Sequence, residues 1–267
     1  MKWLNESELA IKAVSIGAEL IEDNQTESLV HWTKGNPRDI VTEMDILLEK
    51  KIKSLLSNSK YKVIGEESAK EQDLTNLKKE TAWIVDPLDG TTNYVSGIPL
   101  YGISVGLIDK GKFVAGAVAL PALKEIYFSM GDKGAYKNGK ALQAVPAELK
   151  NSLIIAGFSS GIHKNKGKEY ELWGQLNDSS RGCLRLGAAA VNICYAAAGK
   201  VQAVYGLHNK IWDIAGALAV AVQAGCQTYV EWFPGTSDIS YVVGALDVTG
   251  KIAEILNEKK LAALEML

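Results

Sequence analysis

Trp83-Ile84-Val85-Asp86-Pro87-Leu88-Asp89-Gly90-Thr91-Thr92-Asn93-Tyr94 is the stretch on which the reading of this chain turns. An apolar strand runs into two carboxylates, Pro87 restricts the backbone between them, and Gly90 lets a ligand approach the main chain closely. The spacing predicts a turn at the strand end that aims Asp86 and Asp89 to one side. Taken alone, the same residues also fit an ordinary type I turn with Asp first and Pro second.

Working outward, Gly65-Glu66-Glu67-Ser68 ends a strand over Tyr61 to Ile64 and brings two more carboxylates to what reads as the same sheet edge; by itself it fits a solvated acidic turn. Thr42 and Asp45 have the spacing of a capping box, opening a helix with Met44, Leu47, Leu48, Ile52 and Leu55 inward. Before it, Leu9, Ala13, Ile16, Leu20 and Ile21 mark an amphipathic helix over Glu6 to Asp23. His31 to Ile40, with Lys34-Gly35-Asn36-Pro37, reads as a flexible loop. After the carboxylate stretch come strands over Gly102 to Ile108, Phe113 to Leu120 and Ile126 to Ser129, the first two joined by the hairpin turn Asp109-Lys110-Gly111-Lys112. Gly131 to Lys140 reads as a turn region.

A soft boundary near residue 150 divides the chain into an α+β half, 1–150, with most of the candidate ligands, and an α/β half, 151–267, with Asp213, the two forming one compact unit. The second half alternates a strand over Leu153 to Ala156, a helix from Gly187 to Ala198, a strand over Val201 to Tyr205 and a helix from Asp213 to Ala224, with Asp213 as its N-cap. Strands interleaved with helices predict a layered sheet-and-helix architecture.

Composition narrows the class. The 267 residues are 47% hydrophobic, enough for a large core, and 29 basic against 31 acidic residues give a net charge of −2. That balance predicts neither nucleic acid nor a membrane surface as the main partner. No apolar run is long enough to span a bilayer. Cys183, Cys194 and Cys226 are odd in number and widely spaced, which fits a reducing cytoplasm better than a disulfide framework. His31, His163 and His208 lack ligand spacing. The four candidate segments supply hard oxygen donors only, a set that suits Mg²⁺ and not zinc.

Together these segments resemble a known family. Asp86-Pro87-Leu88-Asp89-Gly90-Thr91-Thr92-Asn93 resembles the central signature of the inositol monophosphatases, the Mg-dependent, lithium-sensitive superfamily that includes fructose-1,6-bisphosphatase. Trp212-Asp213-Ile214-Ala215-Gly216 resembles their second signature, and Val41 to Asp45 and Gly65 to Ser68 match two further segments. The resemblance runs from about residue 8 to residue 255 and implies a layered αβαβα sandwich. It implies two or three Mg²⁺ per site: Glu66, Asp86 and the Leu88 carbonyl for the first, Asp86, Asp89 and Asp213 for the second, with Glu66 contributing to a weaker third. Thr91, supported by Asp45, would orient and help deprotonate the attacking water. Asp89, Gly90, Thr91, Asp213 and the segment Gly187-Ala188-Ala189 would line the substrate pocket, and Lys34 would close over it from its loop. Gly187 to Ala189 also reads as the close-packed start of an apolar helix.

The implied activity is hydrolysis of a small phosphate monoester, inositol monophosphate first, by a lithium-sensitive homodimer. One departure bears on specificity: Gly206 stands seven residues before Asp213, where inositol-preferring members typically carry a glutamate. A sugar, nucleotide or histidinol phosphate is therefore the alternative substrate. A non-catalytic regulator on the same fold predicts lost ligands or a basic surface, and neither is present in this sequence.

Overall fold

The structure is a computed structural model that describes residues 2–24, 31–33, 40–69, 74, 76–158 and 166–267. Lys34 and His163 lie outside the described residues.

Helices α1 (Leu4–Asp23) and α2 (Glu43–Leu56) pack on a seven-stranded sheet of order β3-β4-β5-β6-β7-β8-β9. Its strands are β3 (Lys62–Gly65), β4 (Thr81–Asp89), β5 (Gly102–Asp109), β6 (Lys112–Leu120), β7 (Glu125–Ser129), β8 (Ala135–Lys137) and β9 (Lys140–Leu142). Every pairing is antiparallel except β3 with β4. Two short strands, β1 (His31–Thr33) and β2 (Ile40–Thr42), pair ahead of α2. A second sheet has the order β11-β10-β12-β14-β13-β15, from β10 (Leu153–Gly157), β11 (Gly182–Leu184), β12 (Ala203–Lys210), β13 (Gln227–Trp232), β14 (Asp238–Gly244) and β15 (Glu265–Met266). Helices α5 (Ala189–Ala197) and α6 (Ile211–Gln223) touch both sheets, while α4 (Lys166–Ser179) and α7 (Leu246–Glu258) pack on the second. The layers therefore run helix, sheet, helix, sheet, helix, as expected.

Alternation along β5 shows why this stacking works. Ile103, Val105 and Leu107 join the core under α1, whereas Ile108 joins the core around α6. On the α6 side Gly106 and Gly116 leave no room for a side chain: a Cβ at either would lie 2.5 Å from backbone atoms of Ala215 or Gly216. Helix and sheet meet there backbone to backbone. An α6 that is apolar all round, with Ile211, Trp212, Ile214 and Ala215 through Ala221 buried, is what a helix between two sheets requires.

Several expectations are corrected in detail. Instead of turning after Val85, β4 continues to Asp89, with its register against β5 broken between Asp86 and Asp89. Pro87 has no N–H for the ladder, and Asp86 Oδ1 takes the Leu88 N–H instead at 2.9 Å. The 131–140 region is not all turn: β8 and β9 form a hairpin about Asn138-Gly139, both at positive φ. β12 runs on to Lys210 because it pairs with β14 past a bulge. Asp213 is not the N-cap of α6 but its third residue, since β12 feeds straight into the helix at Ile211. Its Oδ2 still accepts the Lys210 N–H at 3.3 Å. The capping box on α2 is present, with Thr42 as N-cap and Asp45 three residues on, and Lys110-Gly111 turns the β5–β6 hairpin at φ 50° and 79°.

Candidate active site

The bulge at the end of β4 places Asp86 and Asp89 together, 1% and 7% exposed. Gly90 then turns the chain at φ 87° into the short helix α3 (Thr91–Val95). The Thr91 hydroxyl stands 3.1 Å from Asp45 Oδ1 and 2.9 Å from the Leu88 carbonyl oxygen; its single proton serves one acceptor at a time. Asp45 itself accepts the Thr42 N–H at 2.8 Å and the Thr42 hydroxyl. The capping box thus sets the carboxylate that Thr91 meets.

Glu66 follows β3, and its N–H donates to Val85 O at 3.1 Å, which pins it beside the strand carrying Asp86. Behind it, Glu49 of α2 accepts the Glu67 N–H at 2.7 Å, and Gly65 passes so near that a Cβ would touch the Glu49 carboxylate. From the other sheet, the start of α5 donates the Ala189 and Ala190 N–H groups to Asp89 at 3.0 and 2.7 Å, one to each carboxylate oxygen. Helix N-terminal amides are natural partners for an anion. Gly187 (φ 90°) packs on the Asn93 amide, and a Cβ on Gly90 would lie 2.9 Å from the Ala188 Cβ. Asn93 Nδ2 closes the junction by donating to Leu100 O and Leu186 O at 2.6 and 2.9 Å. Gly187, Ala188 and Ala189 therefore lie against residues 89–93.

Electrostatics mark these carboxylates out. Burial, then the charges of Glu66, Asp89 and Asp213, push Asp86 well above the usual carboxylate range. Burial also raises Asp89 to about 7, opposed by the Ala190 and Ala189 amides and reinforced by Glu66. Asp213 is likewise raised to about 7, by burial first and Asp89 second. Asp45 is raised by burial against its hydrogen bonds to Thr42 and Thr91. Among the described residues no three His, Cys, Asp or Glu side chains are drawn together as a ready-made metal shell. Four carboxylates within reach of one another's charge repel, and their closer approach needs positive charge between them. An all-oxygen donor set of this kind fits hard divalent cations.

Glu66, Asp86, Asp89 and Asp213 thus come within range of one another's charge from the β3 end, β4 and α6, while Asp45 of α2 meets Thr91 at the start of α3. Sequence reasoning missed Ala190, whose amide binds Asp89 as its neighbour's does, and Glu49, hidden as one more polar residue on an amphipathic helix. It also missed Asn93, although that residue stands inside the quoted stretch and its amide is the kind of group that ties loops together.

A layered fold with carboxylates gathered where its two sheets approach one inner helix pair defines the class as a phosphoric monoester hydrolase once the comparisons are added. Residues 4–261 match the model of the inositol monophosphatase family. The fructose-1,6-bisphosphatase/inositol-1-monophosphatase of Aquifex aeolicus is 31% identical over 246 residues, 89% of each chain. The extragenic suppressor protein suhB of Bartonella henselae superposes with a TM-score of 0.78 at 26% identity, covering 94% of this chain and 98% of that one. An IMPase/NADP phosphatase solved with Mg²⁺ and phosphate shares the fold, with a TM-score of 0.77 at 20% identity over 91% of both chains. The chain belongs to the inositol monophosphatase family. Members of that family are metal-dependent phosphatases of small phosphorylated substrates. Among the described residues no helix is long and apolar enough to cross a membrane.

Proposed function

We propose that this chain hydrolyses inositol monophosphate to inositol and phosphate, with Mg²⁺ held by Glu66, Asp86, the Leu88 carbonyl, Asp89 and Asp213. What carries the reading is the convergence of buried Asp86 and Asp89 with partly exposed Asp213, carboxylates whose proton affinities rise through desolvation and one another's charge. Bound divalent ions would offset the phosphate dianion and make water acidic enough to attack phosphorus.

The chain's own residues supply orientation and proton handling. The Thr91 hydroxyl can hydrogen-bond to Asp45 or to the Leu88 carbonyl, but only Asp45 can take its proton, leaving the Thr91 oxygen to receive a proton from water. Asp45, with its proton affinity raised by burial, is suited to take that proton. Ala189 and Ala190 hold both Asp89 oxygens, so this carboxylate keeps one orientation. The Gly90 and Thr91 amides, at the start of α3, are candidates to face phosphate oxygens. The reading places the site between two subdomains, 1–150 and 151–267.

Gly206 favours a second reading, in which a sugar, nucleotide or histidinol phosphate is the preferred ester. A Cβ at this position would lie 2.3 Å from Asn209 Oδ1 and 2.6 Å from the Tyr241 ring, so the structure leaves no room at 206 for a side chain, a glutamate included. Phosphate release from a panel of monoesters, with Mg²⁺, with chelator and with Asp89→Asn, tests both readings. Metal-dependent release that Asp89→Asn abolishes supports the mechanism, and the order of the panel names the substrate. Release that survives chelator, or release by Asp89→Asn at the wild-type rate, refutes it.

A further inference from the structure

Outside the carboxylate site, a cavity of about 730 Å³ opens between α2 and β3, the edge strand of the first sheet. That is the size of a small-molecule site. One stripe of the helix, Ile46, Glu49, Lys50 and Lys53, lines it together with Val63 of β3 and Tyr61 just before that strand. Ile46 is 48% exposed, an apolar side chain that the core leaves uncovered. Ser54 and Ser57 add hydroxyls farther along the helix.

The rim is basic although the chain as a whole is not. Five lysines and no acidic residue lie between residues 50 and 62, in a chain of net charge −2. Lys60 stands over the Tyr61 ring at 5.2 Å, and among the described residues no ion pair engages Lys50. The two carboxylates that line the cavity, Glu49 and Glu67, share one end of it. Glu49 is buried, accepts the Glu67 N–H at 2.7 Å and has the Lys53 ammonium 3.8 Å away. An apolar floor under a cationic rim suits an anion carried on an apolar body. Glu49 also reaches toward the carboxylate site: Gly65 passes so close that a Cβ there would collide with it, and Glu67, whose amide it holds, is next to Glu66.

We propose that the cavity between α2 and β3 binds a small organic anion with an apolar body, an aromatic carboxylate or sulfonate, and that its occupancy is coupled through Glu49 to metal binding at Glu66. The anion competes with Glu49 for Lys53, and the carboxylate that steadies the turn carrying Glu66 loses its counter-ion. The coupling rests on the reading of Glu66 as a metal ligand; the site does not.

The probe is anilinonaphthalene sulfonate, whose fluorescence reports entry into an apolar site. It is titrated into chelator-treated wild type, Lys50→Glu, Ile46→Gln and Lys51→Glu, beside its uncharged analogue phenylnaphthylamine. All three substitutions fall at exposed positions of α2 and should leave melting unchanged. Lys50→Glu should weaken the probe roughly tenfold and Ile46→Gln about threefold. Lys51→Glu makes the same change of charge outside the cavity and should bind like the wild type, and the uncharged analogue should bind roughly tenfold more weakly. If Lys51→Glu weakens the probe as much as Lys50→Glu, if all variants bind like the wild type, or if the uncharged analogue binds as tightly, the site is refuted. Calorimetry then reads Mg²⁺ binding with and without saturating probe. The probe should weaken Mg²⁺ binding about fivefold in the wild type and not in Lys50→Glu. An unchanged or tighter Mg²⁺ affinity, with Glu66→Gln impaired, refutes the coupling and leaves the proposed function standing. If Glu66→Gln binds Mg²⁺ like the wild type, the reading of Glu66 falls and the coupling with it, while the fluorescence titration still decides the site.

Discussion

Without metal, this protein should lose stability as pH rises through neutrality. Asp89 and Asp213 are each raised from an ordinary 3.8 to about 7 in the fold. Each therefore binds a proton more tightly folded than unfolded. The stability this contributes is fully present below about 3.8 and is lost progressively as pH rises toward 7, beyond which it is gone. Integrating the proton difference from pH 5 to pH 8 gives ~2.6 kcal/mol for one such group, and less than twice that for two that repel each other. For a chain of this size that is a fall of about 5 °C in melting temperature per group. Divalent ions between the carboxylates remove the cause, so the rise in melting temperature on adding Mg²⁺ should grow over the same interval. The assay is thermal melting from pH 5 to 8, in chelator and in Mg²⁺, for wild type, Asp89→Asn and Asp213→Asn. Either variant should flatten the metal-free profile by about the contribution of one group. A wild-type profile in chelator that rises toward pH 8, or variants that track the wild type at every pH, would refute the reasoning.

Other substitutions probe separate parts of the site. Thr91→Ala should lower kcat by about 10²–10⁴, with little change in Mg²⁺ affinity, as steady-state kinetics at saturating metal will report. Thr42→Ala should cost about 1 kcal/mol in chemical denaturation and lower kcat as well, because the same hydroxyl that caps α2 orients Asp45. Gly116→Val should destabilise by about 1–3 kcal/mol or more, measured by denaturant melting, since its Cβ would meet α6 backbone at 2.5 Å. Tyr241→Phe keeps the ring and removes a buried hydroxyl without a partner among the described residues, so its melting temperature should hold or rise.

Residues with a period announced themselves in the sequence. The apolar spacing of α1 and α2, the β-like runs of β5 and β6 and the Lys110-Gly111 turn are local, and local physics suffices for them, although Leu47 of α2, expected inward, is 44% exposed. Asp45, Glu66, Asp86, Asp89 and Asp213 were legible as carboxylates beside strand ends or helix starts. Their meeting depends on contacts far along the chain, such as Ala190 with Asp89, which no window of sequence contains. Asp213 looked like an N-cap because Asp favours that place, and only the direct passage of β12 into α6 moved it inside the first turn. The β4 bulge was hidden for a related reason: Asp-Pro commonly begins a turn, yet pairing with β5 carried the strand through it.

The seam where Gly106 and Gly116 meet Ala215 and Gly216 has an implication for how such a protein changes over time. With no side chains between helix and sheet, the height of α6 over the strands is fixed by main-chain atoms, which substitution elsewhere cannot alter. The β12 bulge, two residues ahead of that helix, has no such restraint. A lineage can change His208, on the less buried side of the bulge, while the helix that presents Asp213 stays where it was. If the proposed function holds, selectivity and reactivity are thereby open to change at different rates.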